Sequence, residues 1–377
     1  MNSIKYKISI IIVNYKVKRK LLNCINSINS SKLNIPFEVI VVDNEGDESL
    51  DHELKKYKQV KYIKSSDNLG FGAGNNLGAR YAKGKYLFFL NPDTLVKDDA
   101  VEKLYEFIKS DKNIGIVSPL LIDKNLKPFD TQSRKELTPL NAIFSFSFLR
   151  KFFPRKSIYN DAFLKKWSKQ QPIEVETIPG AALMISKKLF EKVNGFDERF
   201  FLYFEENDLS NRIRNLGLKL YIISKAKIIH KVGASTKQLR NSNKIFSRSR
   251  FLYFKKHYGF LNALFVESFL RINKTFFLIL ITLLLALFLR IYNLSQSMVF
   301  IGDQGWFYLS ARDMILTGKI PLVGITSSHT WLHQGPYWTY IVAILFKVFN
   351  FNPLIPAYFA ALIGAVTVVL VYKIFKE

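Results

Sequence analysis

Four short stretches carry side chains whose type and spacing can do chemistry. Asp43 closes the apolar run Phe37-Glu38-Val39-Ile40-Val41-Val42. A carboxylate at a strand end can accept hydrogen bonds from a base or a ribose, and strand-end Asp is as often a turn former. The second stretch runs from Asp67 to Gly78 and contains Asn68, Gly70 and Gly72. Its glycines allow close backbone approach, and the N-terminus of a following helix favours an anion, although a plain turn would use the same residues. The third is Asn91-Pro92-Asp93-Thr94. A hard divalent cation needs few protein carboxylates when phosphate oxygens complete its shell. The same four residues also make a good turn and helix cap. The fourth is Glu205-Glu206-Asn207-Asp208, with His230 further on. Crowded like charges raise one carboxyl toward neutrality, which suits a general base. Asp208 and Arg212 are spaced to pair along a helix. His230 is placed to complete a metal or diphosphate site, or to be structural.

Positioning these residues requires a regular scaffold. Ser9–Val13 reads as a buried strand ending at Asn14, and a helix with Leu21, Leu22, Ile25 and Ile28 on one face follows. Residues 37–42, 60–63 and 86–90 repeat the strand pattern, with helical stretches between them. Such alternation predicts an α/β fold with a parallel sheet covered on both faces. Asp43 and Asp93 then fall past carboxyl ends of strands, where open α/β sheets bind ligands. Residues 124–172, with four prolines and basic and aromatic runs, read as an irregular insertion or lid. Order returns at 178–185, a helix around 187–193 stops at Asn194-Gly195, and a strand at 219–223 precedes the segment 228–235.

The ordered series resembles the family 2 glycosyltransferases, in particular their rhamnosyltransferase-like branch, over about residues 6–258. It consists of Val13-Asn14-Tyr15, Val42-Asp43-Asn44, Asn68-Leu69-Gly70-Phe71-Gly72, Leu90-Asn91-Pro92-Asp93-Thr94, Gly180-Ala181, Gly195-Phe196-Asp197-Glu198, Glu205-Glu206-Asn207-Asp208-Leu209 and His230-Lys231-Val232-Gly233-Ala234-Ser235. The resemblance implies a GT-A fold, a Rossmann-like mixed sheet. It implies that Asp43 binds the donor nucleoside, with Asn14, Asn68, Gly70, Gly72 and Asn91 also on the nucleotide sugar. It assigns Asp93 to a divalent cation, Mg2+ or Mn2+, on the donor diphosphate, and His230 to the same centre. The catalytic carboxylates come from Glu206, Glu205 and Asp208, with one of the Glu205/Glu206 pair as base. Asn91 stands where a full Asp-X-Asp motif has its first carboxylate, and Glu206 where the family often has Asp. The implied reaction is a single inverting displacement onto a hydroxyl of a cell-surface glycan or lipid-linked acceptor. A polyprenyl-phosphate glycosyl synthase and an inactive membrane scaffold are the alternatives. The first usually has an Asp-rich motif at 91–93, and the intact carboxylates argue against the second.

At about 150 residues per domain, 377 residues suggest two or three domains. The net charge of +25 divides into +20 on residues 1–270 and +5 on the rest. Such a charge on the first part implies an anionic partner or surface, nucleotide phosphates or anionic lipid rather than nucleic acid, for which no module signature is present, with a solvated Lys-rich surface accounting for about half of the lysines. Ile8–Val13 is too short for a signal peptide's apolar core. A single cysteine, Cys24, excludes an internal disulfide and a multi-cysteine zinc cluster. Residues 1–243 form the expected transferase domain. Residues 244–274 mix aromatics with Arg and Lys, as in a helix lying on a bilayer or one packed on the enzyme's own body. Residues 275–294 and 348–372 are long and apolar enough to span a membrane, and Tyr337–Phe346 reads as a shorter helix. Together, 275–377 predict two or three membrane helices with a polar loop at about 295–336, holding the first part at the cytoplasmic side of the cell membrane. Residues 283–377 also resemble the start of a multi-span, polyprenyl-phosphate-sugar-dependent GT-C transferase. By that resemblance Asp303 matches the acidic residue of the first outer loop.

Overall fold

A computed structural model describes residues 6–129, 132, 135–153, 171–231, 241–271, 274–298, 302–325 and 335–376. The chain divides into two compact units, Met1–Arg271 and Ile272–Glu377.

The first unit is built on one mixed sheet. Its strands are β1 (Ile8–Asn14), β2 (Phe37–Asp43), β3 (Val60–Lys64), β4 (Tyr86–Leu90), β5 (Thr94–Val96), β6 (Ile114–Ile122), β7 (Ile173–Val175), β8 (Ala182–Ser186) and β9 (Lys219–His230). They lie in the order β3-β2-β1-β4-β8-β6-β9-β5, with β7 on β9. The first four are parallel, as strand–helix alternation predicts. β8 runs antiparallel to β4 and β6, and β5 antiparallel to β9, which makes the sheet mixed. β9 is longer than the strand expected at 219–223: β6 pairs with it as far as Ile229, while β7 and then β5 pair along its other edge.

Side chains alternate between the sheet's two faces, so each strand feeds two cores. Ile8, Ile10, Ile12, Val39, Val41 and Phe88 face one way. They meet Leu21, Cys24, Ile25 and Ile28 of α1 (Lys18–Asn29), and Val101, Leu104 and Ile108 of α4 (Ala100–Ser110). Between these come α2 (Glu48–Leu54) and α3 (Gly70–Tyr81). Ile11, Ile40, Val42, Leu87 and Phe89 face the other way, against Ala79 of α3, Phe190 of α6 (Lys187–Lys192), and Leu209 and Ile213 of α7 (Glu205–Arg214). Both faces are thus apolar and covered, as parallel strands require.

A third core explains the segment 244–274. α8 (Ser242–Tyr258) and α9 (Phe260–Arg271) bury Tyr253, Phe254, Ala263 and Val266 against Leu137, Ala142, Phe200 and Phe204. Ala142 belongs to α5 (Pro139–Phe146), a helix inside the segment expected to be irregular. A buried Arg250–Glu267 pair, Nε to Oε1 2.6 Å, joins α8 to α9. These helices pack on the first unit's own body, and the compact unit runs to Arg271.

The second unit contains α10 (Lys274–Ile291), α11 (Leu294–Ser297), α12 (Asp303–Thr317), α13 (Tyr337–Val348) and α14 (Leu354–Lys376). Thr275–Gln296 and Leu354–Tyr372, each with mean hydropathy 2.4, are long and apolar enough to cross a membrane. The apolar stretch expected over 348–372 is broken around Asn350 and Phe351, which both take positive φ. Asp303 is the first residue of α12.

Candidate active site

Asn14, Asp43 and Asn91–Asp93 lie at the carboxyl ends of β1, β2 and β4, His230 ends β9, Asn68, Gly70 and Gly72 lie at the start of α3, and Glu205, Glu206 and Asp208 lie on α7. Parallel pairing of β1 and β2 puts Asn14 directly beside Asp43. Asn14 Nδ2 donates to Asp43 Oδ1 at 2.8 Å. The Asp47 amide (2.8 Å) and the Tyr62 hydroxyl (3.0 Å) donate to Oδ2, and the Glu45 amide (3.3 Å) donates to Oδ1. Asp43 is therefore fully buried with both oxygens engaged by the protein. It holds the turn into α2, and a nucleoside would have to displace one of these donors. Burial and the Asp43 carboxylate together push the Tyr62 phenol up. Beside it, the fully buried Asn14 Oδ1 has no hydrogen-bond partner.

The glycines are used differently from the ligand cradle that their spacing suggests. Gly70 sits at φ +80°, and a Cβ there would lie 2.1 Å from the Phe201 carbonyl oxygen. A Cβ on Gly72 would meet Phe196 at 3.2 Å. The Gly70 amide donates to Asn68 Oδ1 at 3.0 Å and the Phe71 amide to the Phe201 carbonyl at 2.9 Å. Asn68 Oδ1 also accepts from Asn44 at 3.3 Å. Protein thus takes the space beside Gly70 and Gly72 and the first amides of α3. These residues let α3 approach the chain before α7.

The turn Asn91–Thr94 is closed by Thr94 Oγ1 donating to the Asn91 carbonyl at 2.7 Å. Behind it Cys24 is buried within α1, and desolvation pushes its thiol up to about 12. Antiparallel pairing of β5 with β9 sets Thr94 opposite His230. Asp93 Oδ1 then lies 3.3 Å from His230 Nε2, with both side chains largely buried. Residues this far apart in sequence meet because the start of β5 lies antiparallel against the end of β9. Of the motif at 230–235, Val232–Ser235 lie outside the described residues. Among the described residues no group of three or more His, Cys, Asp or Glu gathers to hold a metal. One carboxylate and one imidazole fit a divalent cation that keeps phosphate and water oxygens as its other ligands.

α7 presents the acidic cluster. Tyr203 and Phe204, directly before it, both take left-handed backbone at φ 69° and 71°. Such residues cost of order 1–3 kcal/mol each and persist only where packing over-determines them. Here Phe204 is buried among Phe200, Tyr253 and Phe254. The three carboxylates then separate around the helix. Glu205 points inward, only 4% exposed, and its Oε2 has no hydrogen-bond partner. Burial, reinforced by the Glu206 charge, raises its carboxyl well above the usual range. Glu206 is half-buried and lies over Gly180, where a Cβ would come within 3.6 Å of its own Cβ. The next residue, Ala181, accepts the Asn91 amide at 2.9 Å, linking Glu206's surroundings to the Asn91–Asp93 turn.

Asp208 faces another way and is fully buried. Its carboxylate receives Arg212 Nε at 2.8 Å, His257 Nε2 at 2.8 Å and Lys256 Nζ at 2.5 Å. Burial opposes its ionisation, but His257, Arg212 and Lys256 outweigh that and hold the carboxyl low. No free oxygen is left to take a proton from a substrate. Lys256 and His257 are absent from the site residues read in the sequence. They fall in the stretch 244–274, read there as a helix lying on a bilayer or packed on the enzyme's own body.

The model described as glycosyl transferase family 2 matches residues 9–193, and one described as N-terminal domain of galactosyltransferase matches 162–234. The low-salt glycan biosynthesis hexosyltransferase Agl10 of Haloferax volcanii is 28% identical over 279 residues, 73% of this chain and 82% of that protein. The N-acetylglucosaminyl-diphospho-decaprenol L-rhamnosyltransferase of Mycobacterium tuberculosis is 24% identical over 213 residues, 53% and 68% of the two chains. A solved mannosyltransferase of Pyrobaculum calidifontis, in complex with GDP-Man and Mn2+, aligns with a TM-score of 0.47 and 14% identity over 96% of this chain and 86% of that one. The family model and the named relatives lead to one assignment: residues 9–193 carry a glycosyl transferase family 2 domain, and the protein is a glycosyltransferase.

Proposed function

We propose that the protein moves a sugar, rhamnose or another hexose, from a nucleoside diphosphate to a hydroxyl of a glycan or lipid-linked acceptor. The meeting of Asp93 with His230, close to the turn that Ala181 links to Glu206, supports this reading most strongly. The relatives named as a hexosyltransferase and a lipid-diphosphate rhamnosyltransferase support the sugar and acceptor classes.

The Glu206 carboxylate removes the acceptor's proton as that oxygen attacks the anomeric carbon. The bond to the diphosphate breaks with its electrons on the departing oxygen, and the sugar inverts. Positioning of the two substrates in line provides much of the acceleration. A divalent cation on Asp93 and His230 would neutralise charge on the diphosphate. Glu205, held toward its neutral form, leaves Glu206 to carry the negative charge of the pair. The nucleoside end lies at Asn14 and Asp43, where the nucleoside takes the place of one of the donors on the Asp43 carboxylate. The apolar helices Thr275–Gln296 and Leu354–Tyr372 anchor the enzyme in the cell membrane, with the first unit on the cytoplasmic side and near membrane lipids.

The test is turnover of a panel of UDP-, GDP- and dTDP-sugars by the full chain in detergent, with Mg2+ or Mn2+, beside Asp93→Ala. The reading predicts one preferred donor, with turnover lost in the variant at every metal concentration. A folded wild-type chain that neither binds nor turns over any donor contradicts it.

A further inference from the structure

Three consecutive residues at the end of α8 each reach across to another element. Lys256 Nζ contacts Asp208 Oδ1 at 2.5 Å and Asp197 Oδ2 at 2.7 Å. His257 Nε2 contacts Asp208 Oδ1 at 2.8 Å, and its Nδ1 lies 3.4 Å from Asn211 Nδ2. The Tyr258 hydroxyl donates to Glu136 Oε1 at 2.6 Å, and Glu136 Oε2 also receives Arg214 Nη2 at 3.0 Å. Asp208, Asn211 and Arg214 all lie on α7, the helix whose first turn carries Glu205 and Glu206.

This clamp exceeds what charge balance requires. Arg212, on α7 itself, already pairs with the buried Asp208. Apolar packing of Phe204, Leu209 and Ile213 seats α7, but its N-cap, Phe204, makes no side-chain cap bond. The polar contacts that fix the rotation of α7 about that apolar seat come largely from α8. An error of about 1 Å at a reacting group can cost about 100-fold in rate.

We propose that Lys256 and His257 are positioning residues for sugar transfer, acting through Asp208 to hold the Glu205/Glu206 carboxylates in register. α8 is then part of the catalytic unit. The proposal rests on the functional reading above. The test uses the full chain in detergent with whichever of dTDP-rhamnose, UDP-N-acetylglucosamine or GDP-mannose the wild type turns over. His257→Ala leaves Arg212 and Lys256 on Asp208, so the fold persists. It is expected to lower kcat about 10- to 100-fold with the donor KM within about twofold. His257→Gln, which keeps a donor nitrogen near Asp208, is expected to restore most of the rate. Should His257→Ala not fold, Lys256→Gln is expected to give the same selective loss of kcat. An unchanged kcat in a folded variant overturns the proposal, as does equal damage from Gln and Ala, or a rate loss that tracks only a lowered melting point. A wild-type chain that turns over no donor overturns the functional reading and this proposal together.

Discussion

Glu205 and Glu206 are neighbours with opposite surroundings, and pH separates them. The Glu205 carboxyl is raised in the folded chain by burial and by Glu206, from an ordinary value of 4.5. Its protonated form is thus favoured by folding. That contribution to stability is complete below 4.5 and is lost as pH rises through the raised value. Asp208 is held low, so its contribution is present above its ordinary value of 3.8 and is lost as pH falls through the lowered one. Melting curves across pH should therefore show Glu205→Gln flattening the alkaline decline while leaving the acid limb in place. Equal alkaline slopes in the two proteins would contradict this account of Glu205. The acidic cluster at a helix start and the Asp208–Arg212 pair were legible in the sequence. Which of Glu205 and Glu206 points inward was not, because that depends on the Tyr203–Phe204 turn, and Lys256 and His257 reach Asp208 only through folding.

Among the elements, the strands were the most readable. Apolar runs such as Ile8–Asn14 and Phe37–Asp43 are buried on both faces, so each announces itself without its partners. The antiparallel half was less visible, because the pairing of β9 with β6 on one edge and with β7 and β5 on the other is a tertiary choice. The glycine loop shows the limit of spacing alone. Gly70 and its neighbours have the pattern of an anion cradle, yet protein atoms fill the space that side chains would take. Gly70→Ala would put a Cβ against the Phe201 carbonyl at a left-handed φ. Steric crowding and backbone strain together should cost about 2–4 kcal/mol, read as a lower denaturation midpoint. A neutral Gly70→Ala would mean that α3 does not press on the chain before α7.

For the whole molecule, the charge division at residue 270 falls beside the end of the first compact unit at Arg271, past the transferase domain expected to close at 243. Of the two readings of 244–274, a bilayer-surface helix and a helix packed on the enzyme's own body, the second describes Tyr253, Phe254, Ala263 and Val266, which are core residues. Burial of aromatic side chains of this kind is worth about 3–5 kcal/mol each when truncated to Ala. A chain ending at residue 271 should therefore melt cooperatively, and one ending at 243 should aggregate or lack a transition. Cooperative melting of the shorter chain would make α8 and α9 dispensable for folding. The division of charge was visible from the start: a basic first unit and an almost uncharged second one. The structure adds that Lys256, one of those basic residues, is an internal partner of Asp208.

The account as a whole depends on Glu206 being the group that accepts the acceptor's proton. The most direct measurement compares wild type with Glu206→Gln in the full chain, recording donor binding by calorimetry and sugar transfer side by side. Donor affinity should stay within about threefold while transfer falls about 100- to 10,000-fold, the usual contribution of a general base. Transfer at the wild-type rate in a folded Glu206→Gln protein would contradict the assignment.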